Sequence, residues 1–387
     1  MAEFQLDAND LETRLDQARQ RACKGVVNQF LAEAREGMGL APEQIAALWY
    51  ATQVDTETLY ELARERYAAH PSQLETFAPL YMTNTCDADC HMCGMRRDND
   101  ALHRDTATLA TVVEQLHLLN RRGMHAVALL TGEYRRPNRP QAMEYIRDAL
   151  RATLALPFHH VLINVGSLDP AEYPVLLDGV ARDADGSVAA KLTMCTFQET
   201  YSRHYYAKFM GSDPDNPRAD YERRLTNFDR AHDAGMRIAN PGILVGLNPD
   251  HGYDLMAMAL HARHLLDKGM EVYLSVPRLR RVAGGNNQRG ASDDEFIRLV
   301  SLLSLGLPSC KIVITTRENP EIQRKLVPIV TVLSTGSAAV APYTEDGARF
   351  PLETSQFEVI DQRPFEQVLG DYVRRGAGIL NYQPPAA

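Results

Sequence analysis

The sequence predicts an α/β chain: a (β/α)8 barrel over residues 76–387, preceded by a helical extension over residues 1–75. Three observations predict it. Short apolar stretches of strand length alternate about eight times with longer stretches of helical periodicity. Polar residues gather where the apolar stretches end, which is where a parallel barrel carries its functional groups. Before all of these, the chain shows helical spacing alone.

The region from Asp7 to Ala69 reads as helices. Apolar residues recur at helical spacing at Val26, Phe30 and Leu31, then at Ile45, Ala46, Leu48 and Trp49, then at Leu59, Leu62, Ala63 and Tyr67. Ala41-Pro42-Glu43-Gln44 and Asp55-Thr56-Glu57 carry helix-start residues. From Thr76 the pattern changes. Strands are expected at Phe77–Thr83, Ala126–Thr131, His160–Val165, Lys191–Phe197, Ile238–Val245, Val272–Val276, Lys311–Thr316 and Ile329–Leu333. Amphipathic helices are expected at Thr108–Leu119, Gln141–Leu154, Tyr221–Ala234, Tyr253–Leu266 and Asp294–Leu305. The strands run into Thr131-Gly132-Glu133, Gln198-Glu199-Thr200-Tyr201, Gly246-Leu247-Asn248, Pro277-Arg278, Thr315-Thr316-Arg317-Glu318 and Ser334-Thr335-Gly336-Ser337. One charged residue after a strand is ordinarily a solvated loop end; polar residues at so many strand ends point to a shared site.

Directly after the first strand comes Cys86-Asp87-Ala88-Asp89-Cys90-His91-Met92-Cys93, with cysteines spaced C-x3-C-x2-C. Three thiolates this close can wrap a compact cluster, but they cannot share a helix face or pair neatly as disulfides. They suit three irons of a 4Fe-4S cluster, and with no fourth cysteine nearby one iron stays open to a small molecule. Zinc held by the three cysteines and His91 is the alternative, and inert buried thiols a third. Structural zinc usually takes ligand pairs from separated knuckles, whereas Cys23, Cys195 and Cys310 stand isolated.

The net charge of −9, with charges mixed along the chain, argues against nucleic acid as a partner. No apolar stretch approaches bilayer-spanning length, and the polar N-terminus lacks a signal-peptide core. A cytoplasmic, reducing location follows as the expectation, which an exposed iron–sulfur cluster also requires.

The cysteine loop, LLTGE at Leu129–Glu133, FQETY at Phe197–Tyr201 and the stretch RRL…DRAHDAGM together resemble radical S-adenosylmethionine (SAM) enzymes. ITTRENPEIQRKLVPIVTVLSTGSAAVAPY, ending at Tyr343, narrows the resemblance to the aromatic amino-acid lyases of that superfamily. That group contains tyrosine lyases, including the 2-iminoacetate synthase of thiazole synthesis and a hydrogenase-maturation enzyme. It also contains the tryptophan lyase, 3-methyl-2-indolic acid synthase, of thiopeptide antibiotic biosynthesis. The resemblance covers roughly Phe77 to the C-terminus.

The resemblance implies roles residue by residue. Cys86, Cys90 and Cys93 ligate a 4Fe-4S cluster whose open iron chelates SAM. Thr131, Gly132 and Glu133 meet the SAM amino group, Glu199 the ribose hydroxyls, and Arg224, rather than its neighbour Arg223, the SAM carboxylate. Arg317 clamps the substrate carboxylate through two parallel donors, with Ser334 adding a hydrogen bond, and Tyr81 lies near the substrate amine. An external electron donor reduces the cluster. A deoxyadenosyl radical then takes a hydrogen from the substrate amino group, and a bond at Cα breaks.

The stretch HMCGMRRDN, with Met92 where tyrosine lyases carry an aromatic residue, is closer to the tryptophan enzyme. Absence of cysteine after Cys310 sets the chain apart from the hydrogenase-maturation enzyme. L-Tryptophan is therefore the expected substrate, with L-tyrosine, cleaved to p-cresol and 2-iminoacetate, as the alternative. A non-catalytic iron–sulfur or zinc protein would not need Glu133, Glu199 and Arg224. A different radical SAM reaction would not need Arg317. Gly284–Arg289 (GGNNQR) and the stretch after Tyr343 are candidate gates by glycine content and position.

Overall fold

The computed structural model describes residues 2–68, 73–285 and 290–384; residues 286–289 of the candidate gate lie outside them. Eight parallel strands close into a barrel: β1 (Gln73–Tyr81), β2 (Ala126–Leu130), β3 (His160–Asn164), β4 (Leu192–Glu199), β5 (Ile238–Ile243), β6 (Glu271–Ser275), β7 (Lys311–Thr315) and β8 (Val332–Ser334). Each pairs parallel to the next, β4 shifting register against β5 between Phe197 and Glu199, and β8 closes on β1 through Glu75↔Val332, Thr76↔Leu333 and Phe77↔Ser334. The fold is the (β/α)8 barrel that strand–helix alternation predicts. No helix among the described residues is long and apolar enough to cross a membrane.

Several elements depart from expectation. Strand β1 starts at Gln73 rather than Phe77, because the carboxylate that interrupts the apolar pattern, Glu75, is buried against Lys311 and the Tyr273 hydroxyl. The helix expected over Tyr221–Ala234 breaks at Thr226 into Tyr221–Leu225 and Asn227–Asp233. At the break, the Asn227 side chain turns inward to accept from Leu168 N and donate to Thr196 Oγ1. Between β3 and β4 there is only a five-residue helix, Glu172–Leu176. Strand β8 starts at Val332, behind a 3₁₀ turn over Val327–Ile329. A further strand of the same sheet, Gly378–Leu380, lies parallel to β1 at Gln73–Glu75, and nothing in its short sequence announces it.

Among the described residues, four helices precede the barrel: Ala8–Arg21, Lys24–Arg35, Pro42–Tyr50 and Thr56–Ala68. Ala8–Arg21, Pro42–Tyr50 and Thr56–Ala68 pack on the helices that follow β5 and β6, His251–Asp267 and Asp293–Gly306, while Lys24–Arg35 packs on Pro42–Tyr50 and Thr56–Ala68. Buried Arg298 ties the two layers by donating to the carbonyls of Leu48 (2.6 Å), Val54 (2.7 Å) and Ala51 (3.0 Å).

Inside the barrel, Ile238, Tyr273, Val313 and Val332 form an apolar plug toward the amino ends of the strands. Below it, His160 donates to or accepts from Thr193 Oγ1 at 2.6 Å. Burial, aided by Lys191, drives the His160 imidazole down to about 3 from the ordinary 6.5.

The sign of the His160 effect follows from linkage. Between pH 6.5 and 3 the unfolded chain binds a proton at this residue that the folded chain refuses. Its contribution to stability is full above pH 6.5 and falls as pH drops, by about 1.4 kcal/mol per pH unit. His160→Gln should flatten the pH dependence of urea unfolding between pH 6 and 4 by about that slope. An unchanged slope would mean that His160 is already charged in the folded barrel.

Candidate active site

A single cavity at the carboxyl mouth of the barrel is lined by every residue the sequence singles out: Tyr81, Cys86, Cys90, Cys93, Thr131, Gly132, Glu133, Glu199, Arg224, Arg317 and Ser334. Strand β1 delivers Tyr81 and then the cysteine loop. Backbone N–H groups of Ala88 (3.4 Å) and Glu133 (3.3 Å) point at Cys86 Sγ. Gln356 Nε2 points at Cys93 Sγ at 3.4 Å. Burial pushes the Cys86 thiol up to about 12 and the Cys90 thiol higher still. Buried neutral thiols ionise only with a cation at hand, and a metal cluster removes their protons outright.

These residues fit a cluster better than a single zinc ion. His91 is exposed. Among the described residues, no three His, Cys, Asp or Glu side chains gather around one ion position. A four-iron cluster instead asks for one thiolate per iron, spread around a cage. The loop after β2 closes one side of that space. A Cβ at Gly132 would stand 2.3 Å from the Thr85 carbonyl oxygen and 2.6 Å from Cys86 Cβ, so only glycine lets the β2 end approach the cysteine loop.

Next to the cysteines lies a compensated charge network. Glu133 Oε1 accepts from Arg224 Nη1 at 2.6 Å and lies 3.2 Å from Arg218 Nε. Glu199 Oε1 accepts from Arg218 Nη2 at 2.7 Å. Arg224 Nε also donates to the Phe197 carbonyl at 2.5 Å. Burial alone would raise the Glu133 carboxyl, but Arg224 and Arg218 outweigh it and hold it below the ordinary range. Glu133 Oε2 stays buried without a hydrogen-bond partner, an acceptor facing a site that offers it no donor. Strand β4 bulges between Phe197 and Glu199, and Glu199 sits at φ 68°, a conformation non-glycine residues rarely adopt.

Arg223 and Arg224, adjacent in sequence, separate cleanly. Arg223 turns away to Asp169 (2.6 Å) and the Ser167 carbonyl (2.9 Å), while Arg224 lines the cavity. Arg224 is not waiting free for a carboxylate, however, since it is already matched to Glu133. Nothing in the local sequence marks Arg218. It sits in a loop with no motif, and only folding brings it between Glu133 and Glu199.

Across the cavity Arg317 is different. It follows β7, beside Ser334 at the end of β8, where Thr315 and Ser334 are paired in register. The neighbouring carboxylate, Glu318, is turned away and occupied by Arg278 and Arg280. Among the described residues Arg317 has no carboxylate partner: it makes a long contact to the Arg278 carbonyl (3.5 Å), and its guanidinium carbon lies 3.3 Å from the Phe357 ring centroid. Burial lowers it to about 10, with Tyr81 and Glu199 only partly opposing. Tyr81 donates its hydroxyl to Gln356 Oε1 at 2.6 Å. Gln356 and Phe357, unforeseen from sequence, belong to the stretch after Tyr343 and reach the site across some 260 residues of chain.

No family model matches the chain. It is 26% identical over 381 residues to 2-iminoacetate synthase of Escherichia coli K12, covering 96% of this chain and 93% of that one. It is 25% identical over 318 residues to the Salmonella typhimurium LT2 enzyme of the same name, covering 79% and 76%. The crystal structure of HydG, a maturase of the FeFe-hydrogenase, superposes with TM-score 0.80 at 26% identity, over 97% of this chain and 80% of that one. The likeness to 2-iminoacetate synthase runs nearly end to end in both chains. The structure of methylornithine synthase (PylB), at TM-score 0.68 and 18% identity over 91% of this chain and 97% of that one, shares the same barrel fold.

The ion network makes a direct prediction. Arg218→Met leaves Glu199 buried without its partner and should destabilise the protein by about 3 kcal/mol at pH 7. Adding Glu199→Gln removes the stranded charge and should recover about 1 kcal/mol or more, read by urea unfolding of both variants. Strict additivity of the two changes would show that they are not coupled.

Proposed function

We propose that this enzyme rearranges L-tryptophan to 3-methyl-2-indolic acid, with Cys86, Cys90 and Cys93 holding a 4Fe-4S cluster and the cavity holding SAM against it. When bound, the cluster and SAM together supply a 5′-deoxyadenosyl radical. The chain's own residues do the placing. The single observation that carries the reading is Arg317, a guanidinium sunk in the wall of the cavity that houses the three cysteines, without an acidic partner among the described residues. A cation so placed is costly unless something of opposite charge arrives. An α-amino acid brings such a charge, and Arg317 offers it two parallel donors with the Ser334 hydroxyl alongside.

With the carboxylate held there, Tyr81, close enough to Arg317 for each to perturb the other, lies on the amine side. The aromatic ring is left to the barrel interior among Ala128, Leu162, Val313 and Phe77. Glu133 Oε2, buried without a partner, suits the SAM amine, and Glu199, held by Arg218, suits the ribose hydroxyls. Binding the SAM carboxylate at Arg224 requires it to share or exchange Glu133. Holding both reactants in fixed orientation is what converts radical generation into one selective hydrogen transfer.

Met92 before the third cysteine and the adjacency of Arg317 and Ser334 favour tryptophan. A second reading, L-tyrosine cleaved to p-cresol and 2-iminoacetate, is favoured by the printed name of the whole-length relative, 2-iminoacetate synthase.

Anaerobic reconstitution with iron and sulfide, followed by SAM, a strong reductant and each amino acid in turn, separates the readings by mass spectrometry. 3-Methyl-2-indolic acid from tryptophan is the expected product. p-Cresol from tyrosine transfers the enzyme to the second reading, and deoxyadenosine without either product removes both substrates. Arg317→Lys should lower kcat/KM by about a hundredfold or more, since a point charge cannot reproduce the two-donor alignment.

A further inference from the structure

Tyr81 and Cys93 belong to opposite tasks in the site, one facing the substrate and the other the cluster, yet one side chain touches both. Gln356 accepts the Tyr81 hydroxyl on Oε1 at 2.6 Å and directs Nε2 at Cys93 Sγ at 3.4 Å. Its backbone is fastened independently. The Gln356 carbonyl accepts from Gly94 N at 2.9 Å, and its N–H donates to the Ala338 carbonyl at 3.1 Å. Position 94 must be glycine for this approach, because a Cβ there would stand 2.6 Å from the Gln356 carbonyl oxygen. The next residue, Phe357, faces the Arg317 guanidinium. Two consecutive residues therefore meet the cysteine loop, the substrate-side tyrosine and Arg317.

We propose that Gln356 is a positioning residue that couples the cluster to the substrate pocket, donating an N–H···S hydrogen bond that raises the cluster's reduction potential while its carbonyl fixes the Tyr81 hydroxyl. The proposal rests on the reading of Cys93 as a cluster ligand. A ligating cysteine has lost its proton and can only accept, so the amide must present nitrogen to sulfur and oxygen to tyrosine, as it does. A donor at a ligand sulfur stabilises the more negative, reduced cluster more than the oxidised one, and such bonds are among the determinants of cluster potential. Because one planar amide makes both contacts, its hold on sulfur also sets where the tyrosine hydroxyl lies.

The test uses the reconstituted full chain in a redox titration monitored by electron paramagnetic resonance. Gln356→Met has nearly the same volume and neither donor nor acceptor. At equal iron content it should lower the ratio of reduced to oxidised cluster at a fixed potential about tenfold, a midpoint lower by about 59 mV for one electron. Tyr81→Phe keeps Gln356 and should leave the midpoint where it is. Both variants should raise the deoxyadenosine formed per molecule of amino-acid product, because both release the hydroxyl.

If Gln356→Met takes up no iron, Gln356→Asn, whose amide is drawn back by one methylene, is titrated instead, with the same expected fall. A wild-type midpoint in the Gln356 variant overturns the proposal. So does an equal shift in Tyr81→Phe, which would mark a general disturbance rather than the N–H···S bond. A wild-type protein that binds no cluster removes this proposal together with the functional reading. One that binds cluster but makes neither product removes the substrate reading alone, and the midpoints still decide the role of Gln356.

Discussion

Charge compensation inside the barrel mouth is the constraint on which the site depends. Glu133, Arg224, Arg218 and Glu199 come from the ends of β2 and β4 and from the loop and short helix that follow. Buried singly, each would be severely destabilising; buried together, two carboxylates and two guanidiniums cancel. The network also does geometric work. It ties the β2 end to the segment after β4 through Glu133, and it includes Glu199, whose backbone sits in the left-handed region.

Arg317 is the exception that gives the cavity a direction. Its chain neighbour Glu318 is spent on Arg278 and Arg280, so the positive charge is left to the cavity. One part of the mouth is thus balanced, and Arg317 is a cation without an acidic partner among the described residues. On the proposed reading, an amino acid would settle with its carboxylate toward Arg317 and its ring in the apolar interior. Phe357 lying against the guanidinium supplies a flat, weakly attractive face without neutralising it.

The barrel was legible because its strands are apolar runs of nearly correct length, and strand ends announce themselves where polar residues follow. It was less legible where polar residues enter the core in pairs. Glu75 made the start of β1 look like loop, although Lys311 and Tyr273, more than 190 positions away, make its burial tolerable. The helix over Tyr221–Ala234 looked continuous because nothing local marks Thr226. What breaks it is Asn227 reaching for Leu168 and Thr196.

The chemistry of the site divides along the same line. Local sequence determined the cysteine spacing, the TGE, TRE and STGS strand ends, and hence which residue types meet at one mouth, because a parallel barrel brings all strand ends to one rim. Only the tertiary structure decided how those groups pair. Arg224 rather than Arg223 turns inward, Arg218 arrives between two carboxylates, Glu318 faces away from Arg317, and Gln356 links Tyr81 to Cys93. These are contacts between side chains far apart in sequence, chosen by which buried charges and donors can be satisfied at once. Periodicity and spacing record the backbone's path and carry no trace of that choice.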